Sequence, residues 1–309
     1  MKSSKFTSTP LFPRQALVAL LLPLIAEQAL SVTIGLADTL MVSSVGEAAV
    51  SGVSLVDSFN TLMIQIMSAL ATGGAVVTSQ YIGHQEPKNA KAAAAQILFV
   101  LSSFSVLVAA VVIGGRHAIL RGIFGSIDAD VMHYAETYFL LSALSYPFIG
   151  LYNAGAALFR AQGNSKISML SSLVMNVVNI GGNAVLIYGF GMGVMGAALA
   201  TVLSQVASAV LTLRCIVGSQ GMPWHIRAEK LRLHGDVFAA ICTIGVPAAA
   251  QSAMYNISNM FIQSSMNSFG TSTIAAWGVY GKIDFLFWMT TNSLGIAITT
   301  FAGQNFGAR

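Results

Sequence analysis

Eight apolar stretches follow one another along this chain, at about 16 to 41, 50 to 78, 92 to 114, 131 to 157, 167 to 188, 193 to 214, 238 to 266 and 273 to 302. At 1.5 Å of rise per residue, about 20 helical residues cross a hydrocarbon core about 30 Å thick, and each stretch reaches that length. The expected fold class is therefore an all-α polytopic membrane protein with about eight transmembrane helices. Charged residues make up only 8% of the chain, against about 25% in a soluble domain, too few to build a water-facing surface. Disorder, collagen-like repeats and a basic nucleic-acid surface are excluded as well, because a pI near 9.1 here reflects a net charge of only +4. The partners to expect are the lipid bilayer and small molecules. Cys215 and Cys242 are too few for a disulfide scaffold and match no metal-ligand spacing.

The basic residues orient the bundle, since short cytoplasmic loops retain Lys and Arg. A cytoplasmic N-terminus puts Lys2, Lys5, Arg14, Lys88, Lys91, Arg160, Lys166, Arg214, Arg227, Lys230, Arg232 and Arg309 on one side and leaves only Arg116 and Arg121 on the other. A bacterial-type inner or plasma membrane location follows as the expectation. The first apolar stretch runs too far past Glu27 for a signal core, so no cleavable leader is expected. Residues 222–236, with Trp224, Leu231 and Leu233 among Arg227, Lys230 and Arg232, read either as an amphipathic surface segment or as a solvated linker.

The chain also repeats itself. An ungapped offset of 224 residues superposes Pro23 on Pro247, Gly46 on Gly270, Gln80 on Gln304 and Gly83 on Gly307, and places Glu27 on Gln251. Six spans separate equivalent points, so the two copies share one orientation and the repeat is parallel. This divides the chain into a six-helix N-lobe at 1–217, a linker at 218–236 and a partial C-lobe of two helices at 237–309. A full second copy would need four more helices, so the sequence reads as a fragment or as a product lacking them.

Polar groups inside the spans need a partner or a purpose, because a charge at the bilayer centre costs about 2.5 to 3.5 kcal/mol on insertion scales. The candidates are Glu27, Asp38, Asp57, Lys282 and Asp284. Glu27 and Asp38 share a face of the first helix about three turns apart, and Asp38 reads either as an interfacial carboxylate or as a functional one. Asn176, Asn179 and Asn183 form one polar stripe, and Asn256, Asn259, Gln263 and Asn267 form another. Such stripes face either neighbouring helices, as hydrogen-bonding glue, or a wet cavity. Asp57, Lys282 and Asp284 read as a structural ion pair or as a relay, and Glu136 as interfacial. The methionines read as core packing.

Taken together, these landmarks resemble the multidrug and toxic compound extrusion (MATE) family of cation-coupled transporters. The resemblance rests on Pro23 and Asp38, the Gln80 to Gly83 helix end, Tyr152-Asn153 leading into Arg160-Ala161-Gln162-Gly163, and Asn179 to Asn183 followed by Leu186-Ile187-Tyr188-Gly189. Gly196 to Thr201 and Gly303 to Ala308 complete it. It covers nearly the whole chain. It implies two six-helix lobes about an axis along the membrane normal, of which the N-lobe and the first two C-lobe helices are present. It also implies a cation-coupling and substrate cavity at Asp38, Asn153, Asn179 and Asn183; the polar residues within the spans add Glu27, Asn176, Asn256, Lys282 and Asp284 as secondary candidates. No cofactor is implied beyond the coupling ion, H⁺ or Na⁺, and Na⁺ would sit at Asp38, Asn179 and Asn183. Some members carry a carboxylate where this chain has Asn183, and others an acidic residue on the seventh helix, where this chain offers only amides.

The expected function is antiport of organic, often cationic, compounds against H⁺ or Na⁺. Two alternatives stand beside it: a flippase of lipid-linked intermediates, for which more cavity-lining cations than Lys282 would be expected, and an inactive truncated bundle. A membrane enzyme is not expected, since the spans carry no nucleophile motif, paired acidic metal motif or His cluster.

Overall fold

The structure, a computed structural model, describes residues 14–125, 128–218, 235–267, 269 and 271–308, apart from some side chains in α7 and the first part of α8. The amphipathic reading of 222–236 lies largely outside them. Eight long helices make up the described chain: α1 (Arg14–Ser43), α2 (Glu47–Gly83), α3 (Pro87–Phe124), α4 (Ala129–Ala161), α5 (Lys166–Asn183), α6 (Gly193–Gly218), α7 (Gly235–Asn267) and α8 (Thr271–Gly307). A π-helical turn, Ala184–Gly189, extends α5. The helices outrun the apolar stretches because hydropathy marks only the part inside hydrocarbon. At 38 residues, α3 is about 57 Å long, and its ends continue past the lipid.

Local chemistry sets the boundaries. Pro87 opens α3 at a position whose N–H would have no intrahelical partner. Gly163, at φ +82°, ends α4 in a Schellman turn, its N–H donating to the Arg160 carbonyl and that of Asn164 to the Phe159 carbonyl.

The odd-numbered helices run one way and the even-numbered ones return, so one end of the bundle collects Arg14, Gly83, Pro87, Ala161, Lys166, Gly218, Gly235 and Gly307. This is the basic end, and the opposite one the far end. Helix α4 is the centre of the first six, packed on α2, α3 and α6, while α5 lies between α1 and α6. Small residues make the packing close: a Cβ on Gly150 would stand 2.5 Å from Ser105 Oγ, and one on Gly155 2.2 Å from Thr212 Cγ2. Among the described residues, six helices are long and apolar enough to span a membrane on composition alone. Helix α4 falls outside that set because it carries Ser142, Ser145, Tyr146 and Asn153, all buried against neighbouring helices rather than facing lipid.

Helices α7 and α8 dock on α2, and α8 also touches α1. The contact between α2 and α8 is reciprocal. A Cβ on Gly83 would sit 2.1 Å from the Gln304 carbonyl oxygen, and one on Gly307 would sit 2.0 Å from that of Gln80. A Cβ on Gly303 would be 2.8 Å from the Cβ of Ser79, its own partner under the 224-residue offset. The symmetry of the sequence is thus a symmetry in space, with the local two-fold passing between Ser79 and Gly303 and both helices ending at the basic end. The architecture is a six-helix lobe joined by the first two helices of a parallel repeat.

Candidate functional site

Five helices converge in the far half of the bundle and bring together residues scattered from position 38 to 201. Asp38 of α1 is buried at 8% exposure. Asn183, at the junction of α5 and its π-helical turn, donates from Nδ2 to Asp38 Oδ1. The same Nδ2 lies 3.3 Å from Asn179 Oδ1, and Asn179 Nδ2 donates to Thr201 Oγ1 of α6 at 3.3 Å. Thr201 in turn bonds the Ala197 carbonyl at 3.0 Å. Helical spacing of four puts Asn179 and Asn183 on one face of α5, and both are fully buried.

Two features mark this cluster. Asp38 has no ion-pair partner among the described residues, whose salt bridges involve only His117 with Glu136 and Arg160 with Glu27. Asn183 Oδ1 is buried with no hydrogen-bond donor. A carboxylate, an unsatisfied carbonyl-type oxygen and the hydroxyl of Thr201 therefore stand together without a compensating positive charge, a donor set suited to a hard cation or a proton.

Asp57 of α2, read from the sequence with Lys282, belongs here instead. It faces Tyr138 of α4 and Asn60, and its charge is felt at Asp38. Tyr146 Oη donates to Asn60 Oδ1 at 2.7 Å, and Tyr138 lies between Asp57 and Thr201. The side chain of Lys282 lies outside the described residues. Sequence reasoning missed Tyr138 and Thr201, because neither is charged and nothing local marks a buried hydroxyl as part of a network.

Other sequence candidates are placed elsewhere. Asn153 turns back on α4 and donates to the Ile149 carbonyl at 3.0 Å, not to Asp38. Asn176 likewise bonds Ser172 of its own helix at 2.9 Å. Asn256 is half-buried and bonds the Ser252 carbonyl at 2.8 Å, while Asn259 is exposed; Gln263 and Asn267 lie outside the described side chains. Asp284 accepts from Tyr280 Oη at 3.3 Å, one turn away on α8. Glu136 pairs with His117 of α3 near the far end. A groove of about 740 Å³ between α3, α4 and α6, lined by Leu98, Phe99, Leu151 and Leu213, holds none of these polar residues.

Glu27, a secondary cavity candidate from the sequence, is already occupied. Its Oε1 accepts from Arg160 Nη1 at 3.1 Å and from Tyr152 Oη at 2.9 Å, and its Oε2 from Ser168 Oγ at 2.7 Å. The ion pair ties α1 to α4 and α5 about 16 Å along α1 from Asp38. Both partners are buried, so this carboxylate has its charge matched and both oxygens bonded.

Comparison with known proteins bears on the fold and the family. A probable multidrug resistance protein of Bacillus subtilis, YoeA, is 29% identical over 273 residues, which are 84% of this chain and 58% of that protein. The multidrug export protein MepA of Staphylococcus aureus is 23% identical over 277 residues, 89% of this chain and 60% of its own. This chain thus spans somewhat under two thirds of these relatives. Among solved structures, a MOP superfamily transporter from Pyrococcus furiosus, described as having a binding pocket of reverse polarity, superposes with a TM-score of 0.88 at 21% identity, over 96% of this chain and 65% of that one. A MATE transporter carrying a P26A substitution superposes at 0.90 over 99% of this chain and 69% of that one, also at 21% identity. The MatE family profile matches residues 23–185 and 247–309, well over half of the chain. With the fold, the repeat and the profile in agreement, the chain belongs to the MatE family.

Proposed function

We propose that this chain forms the ion-coupling lobe of a secondary antiporter that exports small organic, often cationic, compounds in exchange for H⁺ or Na⁺. The observation that carries the reading is the buried Asp38 carboxylate, which lacks a cationic partner among the described residues and sits beside the donorless Oδ1 of Asn183. Such a site favours a bound cation by charge and by oxygen ligands. An exchange cycle needs only that coupling ion and substrate stabilise different facing states, because a ligand shifts an equilibrium by its difference in affinity for the two. In this reading Asp38, Asn179, Asn183 and Thr201 receive the ion. Asp57 supplies a second negative charge in the same network, which raises the affinity for one cation and discourages two fully ionised carboxylates from coexisting. No organic cofactor is required.

The basic end faces the cytoplasm and the protein resides in the plasma membrane, supported by the Lys and Arg asymmetry. The first test is orientation: with Cys215 and Cys242 replaced by Ser, cysteine replacing Asp128 reacts with an impermeant maleimide added to intact cells, and cysteine replacing Asn89 does not. The inverse pattern overturns the orientation. The second is efflux: cells lacking their own pumps accumulate less of a fluorescent organic cation when they express the protein, and Asp38→Asn removes the difference. Equal efflux by Asp38→Asn at the same expression overturns the assignment of Asp38.

A further inference from the structure

The repeat superposes two glutamines, Gln80 and Gln304, that take no part in the Asp38 cluster. In α8, Gln304 is buried, and its Nε2 donates to the main-chain carbonyl of Ala161 at 2.7 Å. One turn earlier, Thr300 Oγ1 donates to the Arg160 carbonyl at 3.0 Å. Ser79 of α2 approaches the Ala161 carbonyl at 3.4 Å. These are the last carbonyls of α4, which a helix leaves without intrahelical partners. The Schellman turn satisfies those of Phe159 and Arg160, so Ala161 depends on Gln304 and Ser79. Ala161 is fully buried, and nothing in a lipid-enclosed bundle replaces a lost donor at low cost.

The end of α4 is itself immobilised within the first lobe. Arg160 and Tyr152 bind Glu27 of α1, and Ser165 at the start of α5 donates to the Leu20 carbonyl at 2.7 Å. Helix α8 therefore grips a fixed point. The close glycine crossing with α2 sets its depth, since a side chain at Gly83 or Gly307 would hold α8 away.

We propose that Gln304 and Thr300 are positioning residues that latch α8 onto the C-terminus of α4, holding the basic end shut, and that their release is a step in opening that end. The role in a transport cycle rests on the exporter reading; the latch concerns the closed form alone. The Gln304 landmark thereby gains a physical role, since its amide meets the last carbonyl of α4, one residue beyond the carbonyl that Thr300 meets.

The test uses the full protein in native membranes, with Cys215 and Cys242 replaced by Ser and cysteine replacing Ala297, which is fully buried where α8 crosses α1. A membrane-permeant maleimide reports how often the crossing opens, normalised to labelling after denaturation. Gln304→Leu is expected to raise the rate about tenfold and Thr300→Val about threefold, the scale of one or two interhelical hydrogen bonds. Asn305→Leu, at an exposed position one residue on, is expected to leave it unchanged. A parallel cysteine replacing Ser145, buried in the middle of α4, distinguishes opening from unfolding. Acceleration at Ala297 alone supports the latch. No acceleration, or equal acceleration at both positions, overturns it. Efflux is scored separately: faster labelling in Gln304→Leu with no efflux by the parent protein sinks the exporter reading and leaves the latch standing.

Discussion

Helix α1 carries two buried carboxylates eleven residues apart, and they live in opposite circumstances. Glu27 has a guanidinium, a phenol and a hydroxyl on its two oxygens. Asp38 has an amide whose own oxygen lacks a donor, and a second carboxylate nearby. A buried charge that is fully matched fixes helices in place, and its neutral replacement by well-packed groups would cost little. A buried charge left unmatched is tolerated only when something transient completes it. In the proposed reading the difference gives Glu27 to architecture and Asp38 to ion handling, although by type, burial and helix they look alike.

Four substitutions can break or sharpen this contrast. The largest effect is expected from Arg160→Met, which leaves Glu27 charged and unpaired in the interior; about 3 to 5 kcal/mol of stability is lost, read as a collapse of the folded fraction in detergent size-exclusion profiles. Adding Glu27→Gln should recover much of it, and a single variant as stable as the parent would mean that the pair does not bear on architecture. Next, Asp38→Asn should abolish ion-coupled efflux while the melting temperature holds or rises, because an unmatched charge has been removed. A marked fall in melting temperature instead would place Asp38 with Glu27 as a structural group.

Tyr152→Phe deletes one of the bonds to Glu27 and should lower stability by about 1 kcal/mol in a thermal-shift assay, with efflux at parental rate. A loss of efflux without destabilisation would extend the transport machinery to Glu27. The smallest expected effect is that of Thr201→Val, which removes one neutral oxygen from the Asp38 cluster. The ion concentration giving half-maximal efflux should rise a few-fold with stability unchanged, and an identical ion dependence would drop Thr201 from the site.

What was legible in the sequence follows from the reach of each signal. Helix count and the repeat depend on periodicity and on loop punctuation, which are local or recur at one fixed offset, and the helices stand where these features put them. The neighbourhood of Asn179 and Asn183 was legible for the same reason, since two amides four residues apart must share a face. Partner choice was not. Arg160 meets Glu27 across 133 positions, and no local feature says which of several buried carboxylates that guanidinium will find. Asn153 shows the converse: Tyr152 beside it points across to Glu27, while Asn153 closes on its own helix. Asp57 reads from the sequence with Lys282, yet lateral packing of α2 against α4 sets its neighbours.

The π-helical turn Ala184–Gly189 bears on how chains of this kind can change in length. Each π turn holds one residue more than the α-helix around it, so α5 carries a spare residue just beyond Asn183. Deleting one residue within 184–189 would let the turn relax to ordinary helix, with Asn183 still facing Asp38. The same deletion between Asn176 and Asn183 would swing the amides about 100° off the ion cluster. Natural or engineered insertions and deletions in α5 should therefore be absorbed after Asn183 and rejected before it, and the length of the segment reaching Gly193 is free to drift where the sequence of the cluster is not.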